Sequence, residues 1–169
     1  DEEFRIKSIE ALGKLKYENA SNEINKFLSS NNSFLEKLAA TGTLGNIGNK
    51  NVIPTLVDLI NSWPSNWLET DGPELRWEAA LALLKLDYID NKTEKIINSL
   101  LNRSYYQSYN ELDENTINFV MLKILNILFS IDDPKLLIYF NESVKFLASE
   151  DPNLEIRNYA KKVYNILKK

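Results

Sequence analysis

The sequence predicts an all-α fold, an α-α superhelix of about four helix pairs that is completed by one C-terminal helix. Three observations favour this fold. An apolar residue, a basic residue and then small residues recur along the chain, as in Leu75-Arg76 followed by Ala79-Ala80. The 169 residues include only five Gly and five Pro, which suits helices joined by short turns. No segment alternates apolar and polar residues over a useful length, so no strand is expected.

Helical period and turn residues place the first five helices. They are expected at residues 3–15, 21–28, 34–47, 52–62 and 73–86. Ser21 and Ser33 are predicted to cap the second and third of them, and Pro54 fits the first turn of the fourth. The first helix carries one apolar stripe, formed by Phe4, Ile6, Ile9, Leu12 and Leu15.

Four more helices are expected at residues 92–102, 113–131, 135–149 and 154–168. The helix at 113–131 is strongly apolar, and we expect it to be the most buried element. Two longer connections, at 63–72 and 103–111, separate neighbouring pairs. The turns Asp132-Asp133-Pro134 and Glu150-Asp151-Pro152 each precede a helix, so their carboxylates are predicted to cap free N–H groups and not to bind metal.

The first helices of the pairs can be aligned on one position. Arg5, Lys37, Arg76, Asn118 and Arg157 then correspond, at intervals of 32 to 42 residues. Helix-pair repeats of about 40 residues build solenoids, in which each pair buries its apolar face only against its neighbours. Ala and Leu at helical spacing also fit a compact helical bundle, which is the alternative fold.

The run Glu74–Leu83 resembles the HEAT repeat, particularly the bacterial type first noted in phycobilisome lyases. Arg5 followed by Ala11-Leu12-Gly13 resembles the same unit, and Ile53-Pro54-Thr55-Leu56 resembles the start of its second helix. Lys37 and Asn118 stand where the family has Arg. The resemblance implies one HEAT-like repeat domain over residues 1–169, in which Ala39-Ala40 and Ala79-Ala80 let paired helices approach closely.

Cysteine and histidine are both absent from the chain. Ser-His-Asp and Cys-His catalysis are therefore excluded, and the commonest metal ligands are missing. No Gly-rich phosphate loop or dinucleotide fingerprint occurs. We expect a chain that is not an enzyme and that holds no cofactor and no metal.

The charge balance bears on partners and location. A net charge of −4 disfavours nucleic acid, whose phosphates need clustered Lys and Arg. Charges interrupt every apolar run, so no transmembrane span is expected. The start Asp1-Glu2-Glu3 is unlike the basic start of a signal peptide, and we expect a cytoplasmic location.

The two longer connections are the first candidate binding site. In a solenoid the loops between repeats emerge on one edge, so these consecutive loops are expected to lie side by side. Trp and Tyr are enriched at the hot spots of interfaces. The candidate residues are the aromatic Trp63, Trp67, Tyr105, Tyr106 and Tyr109 and the acidic Glu69 and Asp71. The alternative is that the rings only fill the gap between repeats.

The second candidate site comes from the resemblance, which implies that second helices line a concave face. Their polar residues could hydrogen-bond a protein, although a merely solvated face is the alternative. The candidates are Asp58, Asn61, Lys95 and Asn98, accompanied by Asn22, Lys26 and Thr55, with Tyr139, Glu142 and Lys145 in the same role in the fourth pair.

These observations predict a non-catalytic protein-binding scaffold or adaptor, in one version a bacterial immunity-type inhibitor. The expected partner is a protein with a basic or mixed-charge surface, without nucleic acid or membrane. The alternatives are a HEAT-like DNA glycosylase, with Trp67, Asp71 and Trp77 in its site, or a bilin-lyase subunit. The acidic balance disfavours the glycosylase, because duplex binding needs clustered cations.

Overall fold

A computed structural model of the chain describes residues 1–28, 31–61, 73–108, 112–131 and 133–168. Every regular element in these ranges is helical, which confirms the all-α prediction. None of the described helices combines the length and apolar character that crossing a membrane requires. The chain divides into two compact units, Asp1–Tyr88 (unit 1) and Ile89–Lys169 (unit 2). The single repeat domain stays a prediction.

Unit 1 alternates long and short helices. Helix α3 packs against both α1 and α5, while α2 packs on α3 and α4 packs on α5. Within this unit the long first helices α1, α3 and α5 therefore pack side by side in chain order, as the helix-pair repeat predicts. A solenoid over the whole chain stays a prediction. The described helices are α1 (Glu2–Lys14), α2 (Ser21–Asn25), α3 (Phe34–Ile47), α4 (Ile53–Asn61) and α5 (Glu74–Lys85).

Both ends of α3 follow from its local sequence. The Ser33 hydroxyl accepts the Glu36 N–H at 3.2 Å, and the Glu36 carboxylate accepts the Ser33 N–H at 3.0 Å. This capping box satisfies two N–H groups that the first helical turn leaves unpaired. The helix ends at Gly48, whose φ of 87° lies in the left-handed region. The predicted cap and the predicted break are both confirmed.

Helices α3 and α5 approach closely where Gly45 faces Ala82. A Cβ atom on Gly45 would lie 2.6 Å from the Ala82 Cα, a backbone atom that cannot move aside. Any larger residue at position 45 would therefore force the two helices apart. The predicted small residues Ala40, Ala79 and Ala80 are fully buried as well. The sequence argument missed Gly45, which makes the closer contact.

Unit 2 contains, among its described residues, four α-helices and two longer 3₁₀ segments. Helix α9 packs against both α7 and α8, and α6 contacts α7 and the second 3₁₀ segment. The helices are α6 (Asn91–Leu100), α7 (Glu114–Phe129), α8 (Asn141–Glu150) and α9 (Leu154–Leu167), and the 3₁₀ segments are Arg103–Ser108 and Pro134–Phe140.

An ion pair between Arg103 and Asp151 holds three parts of unit 2 together. The Arg103 guanidinium donates to both Asp151 carboxylate oxygens, at 2.8 and 2.9 Å, and to the Asn118 side-chain oxygen at 2.6 Å. It thereby joins the segment after α6 to α7 and to the turn before α9. The prediction that Asp151 caps α9 is wrong, because Asn153 is the cap. Asp133 does cap the following segment, as predicted.

Two of the predicted helices differ from the structure. The segment expected as one helix at 135–149 begins as the 3₁₀ segment Pro134–Phe140 and becomes α-helical only at Asn141. The predicted cap by Ser21 is wrong, because its hydroxyl donates to the Glu18 carbonyl at 2.7 Å inside a short 3₁₀ turn. On α1 the predicted stripe is only partly buried, since Ile9 is covered whereas Phe4 and Leu15 are exposed.

Glu36 makes the stability of unit 1 sensitive to acid. Its buried carboxylate accepts the Ser33 N–H and pairs with the Arg5 guanidinium of α1. The Ser33 hydrogen bond first, and then Arg5, hold the pKa of Glu36 below its ordinary value of 4.5. A carboxylate with a lowered pKa stabilises the fold at neutral pH, and that contribution disappears as the pH falls through the folded-state pKa.

We therefore expect Glu36→Gln to unfold at a lower temperature than the native chain at neutral pH. The difference in melting temperature between the variant and the native chain should narrow as the pH falls below 4.5 and through the lowered pKa of Glu36, because Glu36 itself becomes neutral there. Thermal unfolding followed by circular dichroism across this range measures it. Glu23→Gln, on the exposed surface of α2, is the control and should show no such narrowing. A difference that is the same at every pH would contradict the linkage.

Candidate functional site

The loop edge predicted from sequence is only partly described. Trp63, Trp67, Glu69, Asp71 and Tyr109 lie outside the described residues, so their role as a docking edge stays a prediction.

The described members of that edge, Tyr105 and Tyr106, lie in the 3₁₀ segment after α6. Tyr106 is 2% exposed, and its hydroxyl donates to the Leu100 carbonyl at 2.7 Å. Burial raises the pKa of this hydroxyl well above its ordinary value. The half-buried Tyr105 ring meets Tyr106 edge to face, with 5.8 Å between the centroids. Tyr106 therefore packs inside unit 2. Its burial favours the alternative interpretation, in which these rings fill space inside the protein and do not bind a partner.

The candidates Asp58 and Asn61 are exposed on α4 of unit 1. They are three residues apart, so they share one face of the helix. Lys95 and Asn98 have the same spacing on α6 of unit 2, and Lys95 is also exposed. The two pairs therefore belong to different units.

Asn98 lies at a hydrogen-bonded joint between α6 and the following helix pair. Its side-chain N–H donates to the Tyr139 carbonyl at 3.1 Å, and its side-chain oxygen accepts the Ser143 hydroxyl at 2.6 Å. The sequence argument placed Asn98 and Tyr139 on one binding face, and the structure brings them into contact. The donor and the acceptor of the Asn98 amide therefore both form hydrogen bonds within unit 2, and these bonds hold Tyr139 and Ser143 against α6.

The three segments that meet at this joint carry exposed apolar and charged side chains. Ile138 precedes Tyr139 in the chain, and Glu142 precedes Ser143. The apolar members are more exposed than is usual for such side chains, with Ile138 70% accessible. We define the second-helix surface by these residues and their neighbours on α6 and α8: Lys95, Asn98, Ile138, Tyr139, Glu142 and Lys145. It combines apolar area with charges of both signs, which is typical of protein interfaces.

The described residues offer little acid–base or metal chemistry. No cluster of three or more acidic side chains suited to a metal ion occurs in the described ranges. The buried carboxylates in those ranges, Glu36 and Asp151, are each paired with an arginine. Trp77, imagined above in a glycosylase site, is 5% exposed in α5 and would have to leave the core to stack on a base.

One set of exposed residues was missed by the sequence argument. The prediction that α7 is the most buried element is wrong, because α5 buries eight of its 12 residues and α7 only five of its 16. Phe119 and Phe129 of α7 are exposed. A helix that is apolar on nearly every side carries more apolar surface than one core can cover. The apolar residues on nearly every side of α7 were the sequence pattern that could have predicted exposed apolar side chains on this helix.

No family model, no curated protein and no solved structure matches this chain. The HEAT-repeat resemblance therefore stays a prediction that depends on the residues quoted for it. A fold alone does not determine a function, whereas the chemistry of the exposed surfaces limits what the molecule can bind.

Proposed function

We propose that the chain is a non-catalytic protein-binding scaffold or adaptor. The observation that supports this most strongly is the Asn98 joint, at which hydrogen bonds tie α6 to Tyr139 and Ser143. The exposed side chains of the second-helix surface are thus presented by segments that are already fixed. A preorganised surface loses less conformational entropy on binding, which favours affinity.

The composition of the second-helix surface supports a protein partner with a basic or mixed-charge surface. Glu142 offers a carboxylate to a partner's cation, and Lys95 and Lys145 offer cations to its carboxylates. Tyr139 supplies a large amphipathic ring, and tyrosine is enriched at interface hot spots. An immunity-type inhibitor that blocks a basic toxin would be a specialised version of this function.

A photo-crosslinking experiment tests the proposal. A benzophenone amino acid is placed at Tyr139, and the full chain is expressed in its native cells and irradiated. We expect a discrete protein to become attached at position 139. The same amino acid at Tyr17 is the matched control, since Tyr17 is 52% and Tyr139 46% exposed. Position 17 lies in unit 1 and is not part of the second-helix surface, so it should give no such product.

Charge reversal then tests the expected partner chemistry. Glu142→Lys should reduce the yield of the cross-linked protein by about tenfold or more, because it opposes a basic partner surface with a like charge. An exposed lysine elsewhere, changed as Lys14→Glu, should leave the yield unaltered. Equal cross-linking at positions 17 and 139, or cross-linking to nucleic acid alone, would contradict the proposed function.

A further inference from the structure

One close contact between first helices occurs twice in unit 1. A Cβ atom on Gly13 of α1 would lie 3.3 Å from the Thr43 Cα of α3, and one on Gly45 of α3 would lie 2.6 Å from the Ala82 Cα of α5. In each contact a glycine of one helix faces a small residue of the next, so the backbones approach closely. The alignment of the repeats on their basic residues makes Gly13 equivalent to Gly45, and Thr43 equivalent to Ala82. The same packing mode is therefore used at both steps of the unit.

The outer side of α1 has the same features without a helix to cover them. Ala11 is the α1 equivalent of Thr43, but it is exposed. Phe4 and the C-cap residue Leu15 lie seven and four residues from Ala11, on the same side of the helix, and are 71% and 76% exposed. Ile9, on the opposite side, is buried, and its carbonyl accepts the Thr43 hydroxyl. The part of the chain that the structure describes thus leaves a helix-packing side of α1 uncovered.

A row of alternating charges runs along α1 beside these apolar residues. Its exposed members recur at intervals of four, three and four residues and are Glu3, Lys7, Glu10 and Lys14. Glu3 and Lys7 pair at 2.5 Å, but their side chains are 73% and 70% exposed, so the pair contributes little to stability. Glu10 and Lys14 form no ion pair within the described ranges. We define the outer face of α1 by these charges and the apolar side together: Glu3, Phe4, Lys7, Glu10, Ala11, Lys14 and Leu15.

The charge row is complementary to itself when two copies of α1 run antiparallel. Glu3 of one copy then faces Lys14 of the other, and the Lys7 side chains face those of Glu10, so every facing pair joins opposite charges. With the two helices parallel, each residue would face its own equivalent, and every facing pair would repel. A twofold axis relates the copies of an antiparallel pair, as in most homodimers. The charges therefore favour a second copy of this chain, in one orientation.

The apolar side of the outer face fits the same arrangement. Phe4 and Leu15 lie near opposite ends of α1, so an antiparallel pair brings Phe4 of one copy beside Leu15 of the other. Ala11, between them, is small enough to let the two helices approach. Stacking of α1 from one copy onto α5 of another is not open, because Leu84, the α5 equivalent of Gly45, is already fully buried. The apolar residues thus also favour contact of α1 with α1.

We propose that the outer face of α1 binds the same face of a second copy of this chain, in an antiparallel dimer with twofold symmetry. Each copy contributes one helix of 13 residues, about 20 Å long. Such an interface is smaller than that of most stable dimers, so we expect a dissociation constant of about 10–100 µM. The inference goes beyond the proposed function, because the outer face of α1 shares no residue with the second-helix surface. The dimer carries two copies of that surface and can hold a partner with two sites by avidity.

Sedimentation velocity of the full chain at increasing concentration tests the dimer. We expect a monomer at about 1 µM and mostly dimer at about 500 µM. Phe4→Ser should weaken the dimer by about tenfold, because it removes an apolar contact at both ends of the interface. Phe146→Ser in unit 2 is the matched control and should leave the dissociation constant unchanged, since Phe146 is 61% and Phe4 71% exposed. Equal melting temperatures of the variants at the lowest concentration show that folding is intact.

Two charge variants test the orientation of the helices. Glu3→Lys alone and Lys14→Glu alone should each weaken the dimer by about tenfold, because each places like charges opposite one another. An equal mixture of the two variants should dimerise again, since positions 3 and 14 then carry opposite charges across the interface at both ends. Glu23→Lys, at a side chain of α2 that is 71% exposed, is the control and should have no effect.

Three other results would overturn the inference. A chain that stays monomeric at about 500 µM, or a dimer that Phe4→Ser and Lys14→Glu leave unchanged, would mean that α1 is not the interface. A mixture of the charge variants that stays monomeric would contradict the antiparallel pairing. A benzophenone amino acid at position 4 that attaches only a different protein would assign the outer face of α1 to that protein.

Failure of this inference is separable from failure of the proposed function. The cross-link at position 139 should persist in Lys14→Glu, in which the dimer is weakened. Two copies of the chain cross-linked through position 17 would have twice the mass of one chain, which distinguishes them from a product with another protein.

Discussion

Arg103→Met is expected to lower the free energy of unfolding of unit 2 by about 3–5 kcal/mol. Asp151 is 2% exposed, and both of its carboxylate oxygens accept hydrogen bonds from Arg103. Without the guanidinium, the buried charge keeps the Asn153 N–H at 2.9 Å and loses its counter-ion. Removing one partner of a buried ion pair is costly because the other charge remains out of water.

The sequence offers a way to assign this loss to one unit. All three Trp residues of the chain fall within residues 1–88, so Trp fluorescence follows unit 1, whereas circular dichroism follows the helices of both units. In urea titrations, Arg103→Met should shift the unfolding transition measured by circular dichroism to lower urea concentrations. The onset of the Trp fluorescence transition should stay close to that of the native chain. Adding Asp151→Asn should recover part of the stability, because no uncompensated charge is then buried.

The control is an ion pair on the surface. Lys26 and Glu23 pair at 2.7 Å, but both side chains are 71% exposed. Lys26→Met should therefore cost no more than about 1 kcal/mol. If Arg103→Met costs as little as Lys26→Met, the Arg103–Asp151 pair is not what holds the three segments of unit 2 together.

Local sequence predicts some helix ends. Ser33 and Pro54 each act within a few residues of their own position, and the structure confirms both, whereas the predicted Ser21 cap is wrong. The partner of Asp151 could not be predicted, because Arg103 is 48 residues away and no local pattern connects the two. Asp151 precedes a helix, so the sequence alone favoured a cap.

Burial was harder to predict than helix position. Helix α7 was expected to be the most buried element, yet Phe119 and Phe129 are exposed, because burial depends on which sides of α7 have neighbours. That information belongs to tertiary packing and not to periodicity. The close contact of Gly45 with Ala82 is similar, since a glycine in a helix gives no indication of which helix will approach it.

The candidate site was predicted in composition but not in detail. The polar residues of the second helices stay a prediction as a binding site, although Asn98, Tyr139 and the start of α8 do meet. What the sequence could not show is that both ends of the Asn98 amide are used in hydrogen bonds within the unit. The Tyr106 ring was chosen for its residue type, and its burial follows from the Leu100 carbonyl that accepts its hydroxyl.

Leu83→Ala is expected to destabilise unit 1 by about 2–5 kcal/mol. Leu83 is fully buried in α5, the helix that packs on both α3 and α4, and its neighbours Ala79 and Ala80 are too small to fill the space that the lost isopropyl group leaves. The close contact between Gly45 and Ala82 also limits how far α5 can move to close the cavity, because backbone atoms already touch there.

Because α5 contacts two neighbouring helices, loss of packing at Leu83 should weaken the cooperation between helix pairs as well as the total stability. Trp77 is buried in the same helix and reports the change directly. We expect the Trp fluorescence transition in urea to move to lower concentration and to become broader. Leu15→Ala, on the exposed residue that directly follows α1, should change the unfolding free energy by no more than about 0.5 kcal/mol. A Leu83→Ala transition that coincides with that of Leu15→Ala would mean that Leu83 is not part of the packed core of unit 1.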